Sequence, residues 1–249
     1  MKAIIVAAGP SSRLRPLTNE KPKCLLEIGG KTILQRALDA LKQNAIEKIV
    51  VVRGYQGHLI NYPSVIYYEN PNYKQNNILR SLFYAEDEMD DDFIFSYSDI
   101  LYSKPVVEKL IRSQGDVALI VDVNWRQHYQ GRDLHPISEA ELVKVEKGRV
   151  TRIGKEVVKV DEAHGEFIGL AKFTKSAAQA MLTAFHQVAK ECPAAPFHHA
   201  GCLEKAYMTD MLQELIDRGA RVQNVDIKGD WMEIDTPQDL ERAQFLFGG

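Results

Sequence analysis

Lys2-Ala3-Ile4-Ile5-Val6-Ala7-Ala8-Gly9-Pro10-Ser11-Ser12-Arg13 is the stretch from which the fold is read. Residues 4–7 are apolar and largely β-branched, with no polar alternation, the pattern of a strand buried on both faces. A turn of small residues follows at once, and such a turn leaves backbone N–H groups free to face an anion. In a parallel sheet it lies at the carboxyl end of its strand, where ligands bind. Arg13, Arg15, Lys21 and Lys23 place four cations just beyond it, so the segment reads as a polyphosphate site. It lacks the Gly-Lys-Ser/Thr ending of a P-loop and the three glycines of a dinucleotide fold. The plain alternative is an ordinary βα turn with solvated basic residues.

Working outward, strands and helices alternate through the first half. Residues 32–44 carry Ile33, Leu34, Ala37, Leu38 and Leu41 at helical spacing. Residues 49–52 and 65–68 read as strands, 78–88 as a helix and 93–95 as a strand. Pro105 opens a further helix, and 117–121 returns to strand. After Asp122 the rhythm changes. Residues 142–145 and 150–153 form a hairpin turning at Lys147-Gly148. Residues 167–173 are a strand, 176–190 and 203–218 helices, 222–227 the last strand and 237–247 the last helix. The expected fold is α/β: a Rossmann-like three-layer sandwich with a mostly parallel mixed sheet and a small β-hairpin and helical insertion. No linker separates independent domains, so one domain is expected over 1–249.

Composition narrows the function classes. The 249 residues are 45% hydrophobic and 26% charged, which excludes disorder, collagen and coiled coil. A net charge of −3 excludes a broadly basic partner surface for a nucleic-acid polymer, though not a local basic pocket. Three cysteines argue against a disulfide framework. The first apolar stretch is too short for a signal peptide, and no run approaches the roughly 20 residues of a membrane span. A cytoplasmic protein with reduced thiols and no membrane partner is expected.

Ala8-Gly9-x-x-Ser12-Arg13, followed by Arg15-Pro16-Leu17-Thr18 and Lys21-Pro22-Lys23, resembles the nucleotidyltransferase superfamily that makes activated sugars and alcohols. Glu27-Ile28-Gly29-Gly30-Lys31-Thr32-Ile33-Leu34 continues the likeness, as do Asp99 and Trp231-Met232-Glu233-Ile234-Asp235-Thr236-Pro237, so it spans nearly the whole chain. The form Glu-Ile-Asp-Thr-Pro-x-Asp-Leu is most similar to bacterial choline-phosphate and phosphonate cytidylyltransferases. One departure is Ser11, where much of the superfamily has a glycine. Serine tolerates positive φ poorly, so a differently shaped loop is expected.

The resemblance implies transfer of a cytidylyl group from CTP to a small phosphonate or phosphocholine-like acceptor, with Mg²⁺ as cofactor and pyrophosphate as product. The nucleotide would be bound in 1–122, and 123–249 would bind the acceptor and complete the metal site. Backbone at Ala7, Ala8, Gly9, Ser11 and Ser12 would cradle the triphosphate. Arg13 would hold the β/γ-phosphates, and Lys23 would bridge the α-phosphate and the acceptor's phosphoryl group. Asp99 and Asp235 would hold the metal, hard oxygens suiting Mg²⁺; helix capping is the alternative for both. Asp239 reads as a first-turn helix residue.

The base is expected between the Arg53-Gly54-Tyr55 loop and Asn76, Asn77 and Ser81. Amides match cytosine and also uracil, and Asn77 reads equally as a helix cap.

Tyr129, Arg132 and Glu166 are the acceptor candidates. Trp125 and Tyr129 suit an aromatic box or plain helix packing. Arg126, Arg132 and two histidines oppose a choline head group and favour a phosphonate, with Arg132 as bidentate partner for a carboxylated one. A brace from Arg132 to Glu139 or Glu141 is the alternative. Glu166 suits an amine or hydroxyl. Cys192, His198, His199 and Cys202 match no common zinc module, so a mobile lid or dimer contact is expected there; a homodimer is left open. Asp210 is expected to be structural. The rivals are a sugar-1-phosphate nucleotidylyltransferase using UTP or dTTP, and a nucleotide-binding regulatory module without chemistry.

Overall fold

A computed structural model describes residues 1–191 and 194–247. In chain order the strands are β1 (Lys2–Ala7), β2 (Glu27–Ile28), β3 (Lys31–Thr32), β4 (Ile49–Arg53), β5 (Val65–Glu69), β6 (Phe93–Tyr97) and β7 (Ile100–Tyr102). β8 (Val117–Asp122), β9 (Leu142–Glu146), β10 (Arg149–Gly154), β11 (Gly165–Phe173), β12 (Val222–Ile227) and β13 (Trp231–Glu233) follow. The α-helices are α1 (Ile33–Lys42), α2 (Ile78–Leu82), α3 (Lys104–Arg112), α4 (Lys175–Glu191), α5 (Met208–Asp217) and α6 (Pro237–Phe247).

β1 is fully buried and sits mid-sheet, parallel to β4 on one side and β6 on the other. That is the pairing its unbroken apolar run predicts. β5 extends the parallel part beyond β4. β11 then runs antiparallel beside β6 and β8, and β12 pairs parallel with β8. The hairpin β9–β10 branches from the first residues of β11. One apolar core lies on each face: Phe93, Phe95, Phe173 and Phe185 on one, Leu34, Leu38, Val107 and Trp231 on the other. The sandwich is therefore three-layered and mostly parallel. The chain leaves β1 towards β4 and leaves β6 towards β8, on opposite sides, which opens a crevice at the carboxyl ends of β1 and β6.

Two expected helices are broken. Residues 78–88 divide into α2 and a 3₁₀ segment, Phe83–Glu88, with non-helical Ala85 inside it. Residues 203–218 divide into a 3₁₀ turn, Leu203–Lys205, and α5. The reason for the second break lies across the molecule. The carbonyls of Glu204 and Ala206 accept from the N–H groups of Asn77 and Leu79, so they do not continue a helix. Asp210 accepts from the N–H of Tyr207 and starts α5 there, which is the structural role expected of it. Among the described residues no helix is long and apolar enough to cross a membrane.

Candidate active site

The turn after β1 forms the floor of the crevice. Ser11 adopts φ 47°, the left-handed region, at a cost of roughly 1 kcal/mol. Its carbonyl accepts from Thr18 Oγ1 at 2.9 Å, which fixes the turn. The loop thus keeps left-handed backbone at the serine. Among the described residues the N–H groups of Gly9, Ser11 and Ser12 donate to no protein acceptor. Gly54 packs beneath it: a Cβ there would lie 2.9 Å from the Ala8 carbonyl oxygen. Gly54 therefore supports the loop and lines neither part of the crevice.

Two lobes meet at this loop. The smaller, about 180 Å³, is lined by Ala7, Ala8, Tyr73, Asn76, Asn77 and Ser81 among others. The larger, about 510 Å³, is lined by Arg13, Tyr97, Lys155, Glu166, Tyr207 and Glu233 among others. Gly9, Ser11, Lys23, Asn77 and Asp99 border both.

Lys23 is buried at that junction, with Nζ 2.8 Å from Asp99 and 2.5 Å from Asp235. The strand pair β7–β13 brings these two aspartates together. Glu233 lies opposite Ile100, and the next N–H, of Ile234, donates to the Asp99 carbonyl. Burial pulls the Lys23 ammonium down, but Asp99 and Asp235 outweigh it and hold it above the usual lysine range. Burial pushes Asp235 up, yet Lys23, His135 and Arg13 together hold it well below the usual carboxylate range. Arg13 reaches Asp235 at 2.6 Å and Glu139 at 3.6 Å. Among the described residues, buried Asp99 Oδ1 has no hydrogen-bond partner. The cap at α6 belongs to neither aspartate. Thr236 Oγ1 accepts from the Asp239 N–H, and Asp239 accepts from the Thr236 N–H, a capping box.

In the smaller lobe the predicted side chains are tied to each other. Asn70, fully buried, donates through Nδ2 to Asn76 Oδ1 and Ser81 Oγ, both at 2.8 Å. Asn77 caps α2 through Oδ1 and donates to the Lys205 carbonyl through Nδ2.

The larger lobe differs from expectation. Trp125 is core, packed with Ala140, Leu142 and Val158, because its segment builds its own small apolar cluster. Tyr129 does not line the lobe; it donates to Glu166 Oε1 at 2.6 Å. Arg132 does not line it either. Its guanidinium is held by Asp239 at 2.7 Å and Glu233 at 3.0 Å, so the brace runs to these acids instead of Glu139 or Glu141. Arg126 donates to the Val160 carbonyl, and His128 lies 3.0 Å from Asp122. Arg126, Arg132 and His128 are thus directed elsewhere, whereas His135 lies against Glu233 and Asp235, which line the lobe. Glu166 does line the lobe, and its buried Oε2 has no hydrogen-bond partner among the described residues. Burial pushes its carboxyl up to about 8 and that of Glu141 to about 7.

The family model for the MobA-like NTP transferase domain matches residues 3–222. The chain belongs to that family. As a nucleotidyltransferase of this kind, it is 34% identical over 252 residues to the CTP:phosphoglutamine cytidylyltransferase of Campylobacter jejuni, covering 97% of this chain and 98% of that protein. It is 34% identical over 98 residues to the 2-aminoethylphosphonate cytidylyltransferase of Lancefieldella rimae, 37% of this chain and 40% of that protein. Among solved structures, the inositol-1-phosphate CTP transferase from T. maritima superposes with a TM-score of 0.76 at 23% identity, covering 99% of this chain and 95% of that one, a likeness of fold.

Within this transferase fold, several lining residues escape a reading of the sequence: Tyr97, Glu141, Lys155, Tyr207 and Glu233. Lys155 bonds Glu139 at 2.9 Å and lies over the Tyr207 ring. It follows β10, the second strand of the hairpin, so no local motif marks it. Asn70-Pro71 is a turn signal that points to Asn70, though not to its bonds. Of the four suggested zinc residues, Cys192 lies outside the described residues, and His198 bonds Glu214 at 2.8 Å.

Proposed function

We propose that the protein is a Mg²⁺-dependent cytidylyltransferase acting on a small phosphonate or phosphate-monoester acceptor. One observation carries this reading: Lys23, clamped by Asp99 and Asp235, stands where the two lobes meet. An acceptor oxygen attacks the α-phosphorus of CTP. The new P–O–P bond forms as the α–β bridge breaks, and the electron pair leaves on pyrophosphate. A phosphate acceptor is already largely ionised at pH 7, its second pKa being about 6, so no base is needed. Catalysis is positioning and charge neutralisation. Backbone N–H groups of the turn face the triphosphate, Arg13 its β/γ end, and Lys23 the reacting phosphoryl groups. Lys155 is suited to hold the acceptor's phosphoryl group from the far wall. The hard carboxylate oxygens, with Asp99 Oδ1 unpartnered, fit Mg²⁺. When bound there, Mg²⁺ supplies Lewis-acid neutralisation of phosphate oxygens.

The activities named for the Campylobacter jejuni and Lancefieldella rimae relatives support CTP as donor. Pyrophosphate release, measured for each nucleoside triphosphate against phosphocholine, aminoalkyl phosphonates and sugar 1-phosphates, tests the reading. CTP with a phosphonate or small phosphate monoester is the expected pair. Exclusive use of UTP or dTTP with a sugar phosphate overturns it.

A further inference from the structure

We propose that His135, Glu233 and Asp235 form a second metal position, distinct from the Asp99–Asp235 pair, that takes a borderline first-row divalent cation such as Mn²⁺ or Zn²⁺. His135 comes from the loop after β8, and the two acids come from the end of β13 and the residues just past it. Each side chain offers one ligand atom, and these atoms all lie within 4.8 Å of one another. His135 is 2% exposed, and among the described residues its buried Nδ1 makes no well-formed hydrogen bond. The ring stands between the two carboxylates, Nδ1 towards Asp235 and Nε2 3.5 Å from Glu233 Oε2, and a buried ring nitrogen that makes no well-formed hydrogen bond is a polar group that a ligand completes. Nδ1 lies 3.3 Å from Asp235 Oδ2. Ligands of a four-coordinate ion with bonds of about 2.1 Å stand about 3.4 Å apart, so this pair is already spaced for one.

The donor set decides the ion class. One imidazole with two carboxylates suits Mn²⁺ or Zn²⁺, whereas Mg²⁺ prefers oxygen alone. Glu233 and Asp235 also line the larger lobe, which gives the ion a way in and open positions facing the acceptor. The carboxylates are oriented from behind. Arg132 holds Glu233 Oε2 at 3.0 Å, and Lys23 holds Asp235 Oδ1 at 2.5 Å. Arg13 contacts Asp235 Oδ2, but its side chain is 47% exposed, so that bond opens at small cost. The site shares Asp235 with the Mg²⁺ reading but does not depend on it.

Chelator-stripped, nucleotide-free protein titrated with Mn²⁺ tests the proposal by electron paramagnetic resonance. Wild type should bind the ion and show the ¹⁴N coupling of a directly bound imidazole. His135→Ala should abolish that coupling and weaken binding at this position by about 10-fold or more, while Asp99→Asn keeps the coupling. No binding at millimolar ion overturns the proposal. So does binding without nitrogen coupling, or a coupling that persists in His135→Ala. Should His135→Ala fail to fold, the wild-type coupling decides alone. Pyrophosphate release with CTP in a protein that lacks the coupling removes this site and leaves the cytidylyltransferase reading standing.

Discussion

Lys23 has two demands on it, and they separate under mutation. Its ammonium neutralises two carboxylates in the nucleotide-free state and, in the proposed chemistry, meets phosphate in the reaction. Lys23→Ala should reduce the rate of pyrophosphate release by about 100-fold or more, as loss of a preorganised cation does. It should also lower stability by about 3 kcal/mol, because Asp235 loses a buried partner. Steady-state kinetics and thermal melting check the two separately. Turnover within a few-fold of wild type removes Lys23 from the chemistry. Lys23, Asp99 and Asp235 were singled out in the sequence by the family resemblance; taken alone, Asp235 before Thr236-Pro237 read as readily as a helix cap. Arg132 was not read correctly. Its partner Asp239 is 107 residues away, and nothing local distinguishes a guanidinium meant for a ligand from one meant for a distant helix.

At the scale of elements, α6 is what delivers Asp235. Asp239 accepts from the N–H groups of Asp235 and Thr236 and binds the buried Arg132 guanidinium, so one carboxylate fixes the helix start and the loop 123–140 together. Asp239→Ala should cost about 3–5 kcal/mol, since it leaves a buried arginine with only Glu233. Chemical denaturation measures that loss, and a cost under about 1 kcal/mol, the worth of a cap alone, would show that Arg132 is not anchored there. The strands β1, β4, β6 and β8 were readable because their faces are buried, which writes a nearly unbroken apolar run. The short strands β2, β3, β7 and β13 were not, because two or three residues carry no period. The break before α5 was equally hidden: its cause is the pairing of Glu204 and Ala206 with α2, not a breaker residue in its own segment.

Across the whole molecule, the net charge of −3 conceals how unevenly charge is placed. A concentrated basic pocket is the natural expectation from Arg13, Arg15, Lys21 and Lys23, yet Arg15 and Lys21 are exposed and only Arg13 and Lys23 line the larger lobe. The opposite wall is acidic: Glu139, Glu141, Glu166 and Glu233, with Lys155 the cation among them. This arrangement has a consequence for stability. Burial raises Glu166 to about 8 and Glu141 to about 7, from an ordinary value of 4.5. Between those values the folded chain binds more protons than the unfolded one, so their contribution is complete below pH 4.5 and is lost as pH rises through 7 and 8. Asp235, held low, works in the other direction and loses its contribution only in acid. The ligand-free protein should therefore melt at a lower temperature at pH 8 than at pH 5. Glu166→Gln should flatten that slope, since the amide cannot ionise and its oxygen still accepts from Tyr129. Melting curves of both proteins across this range decide the matter. An equal slope in wild type and variant would mean that Glu166 is already ionised at pH 5 and that its wall of the lobe is wetter than its burial implies.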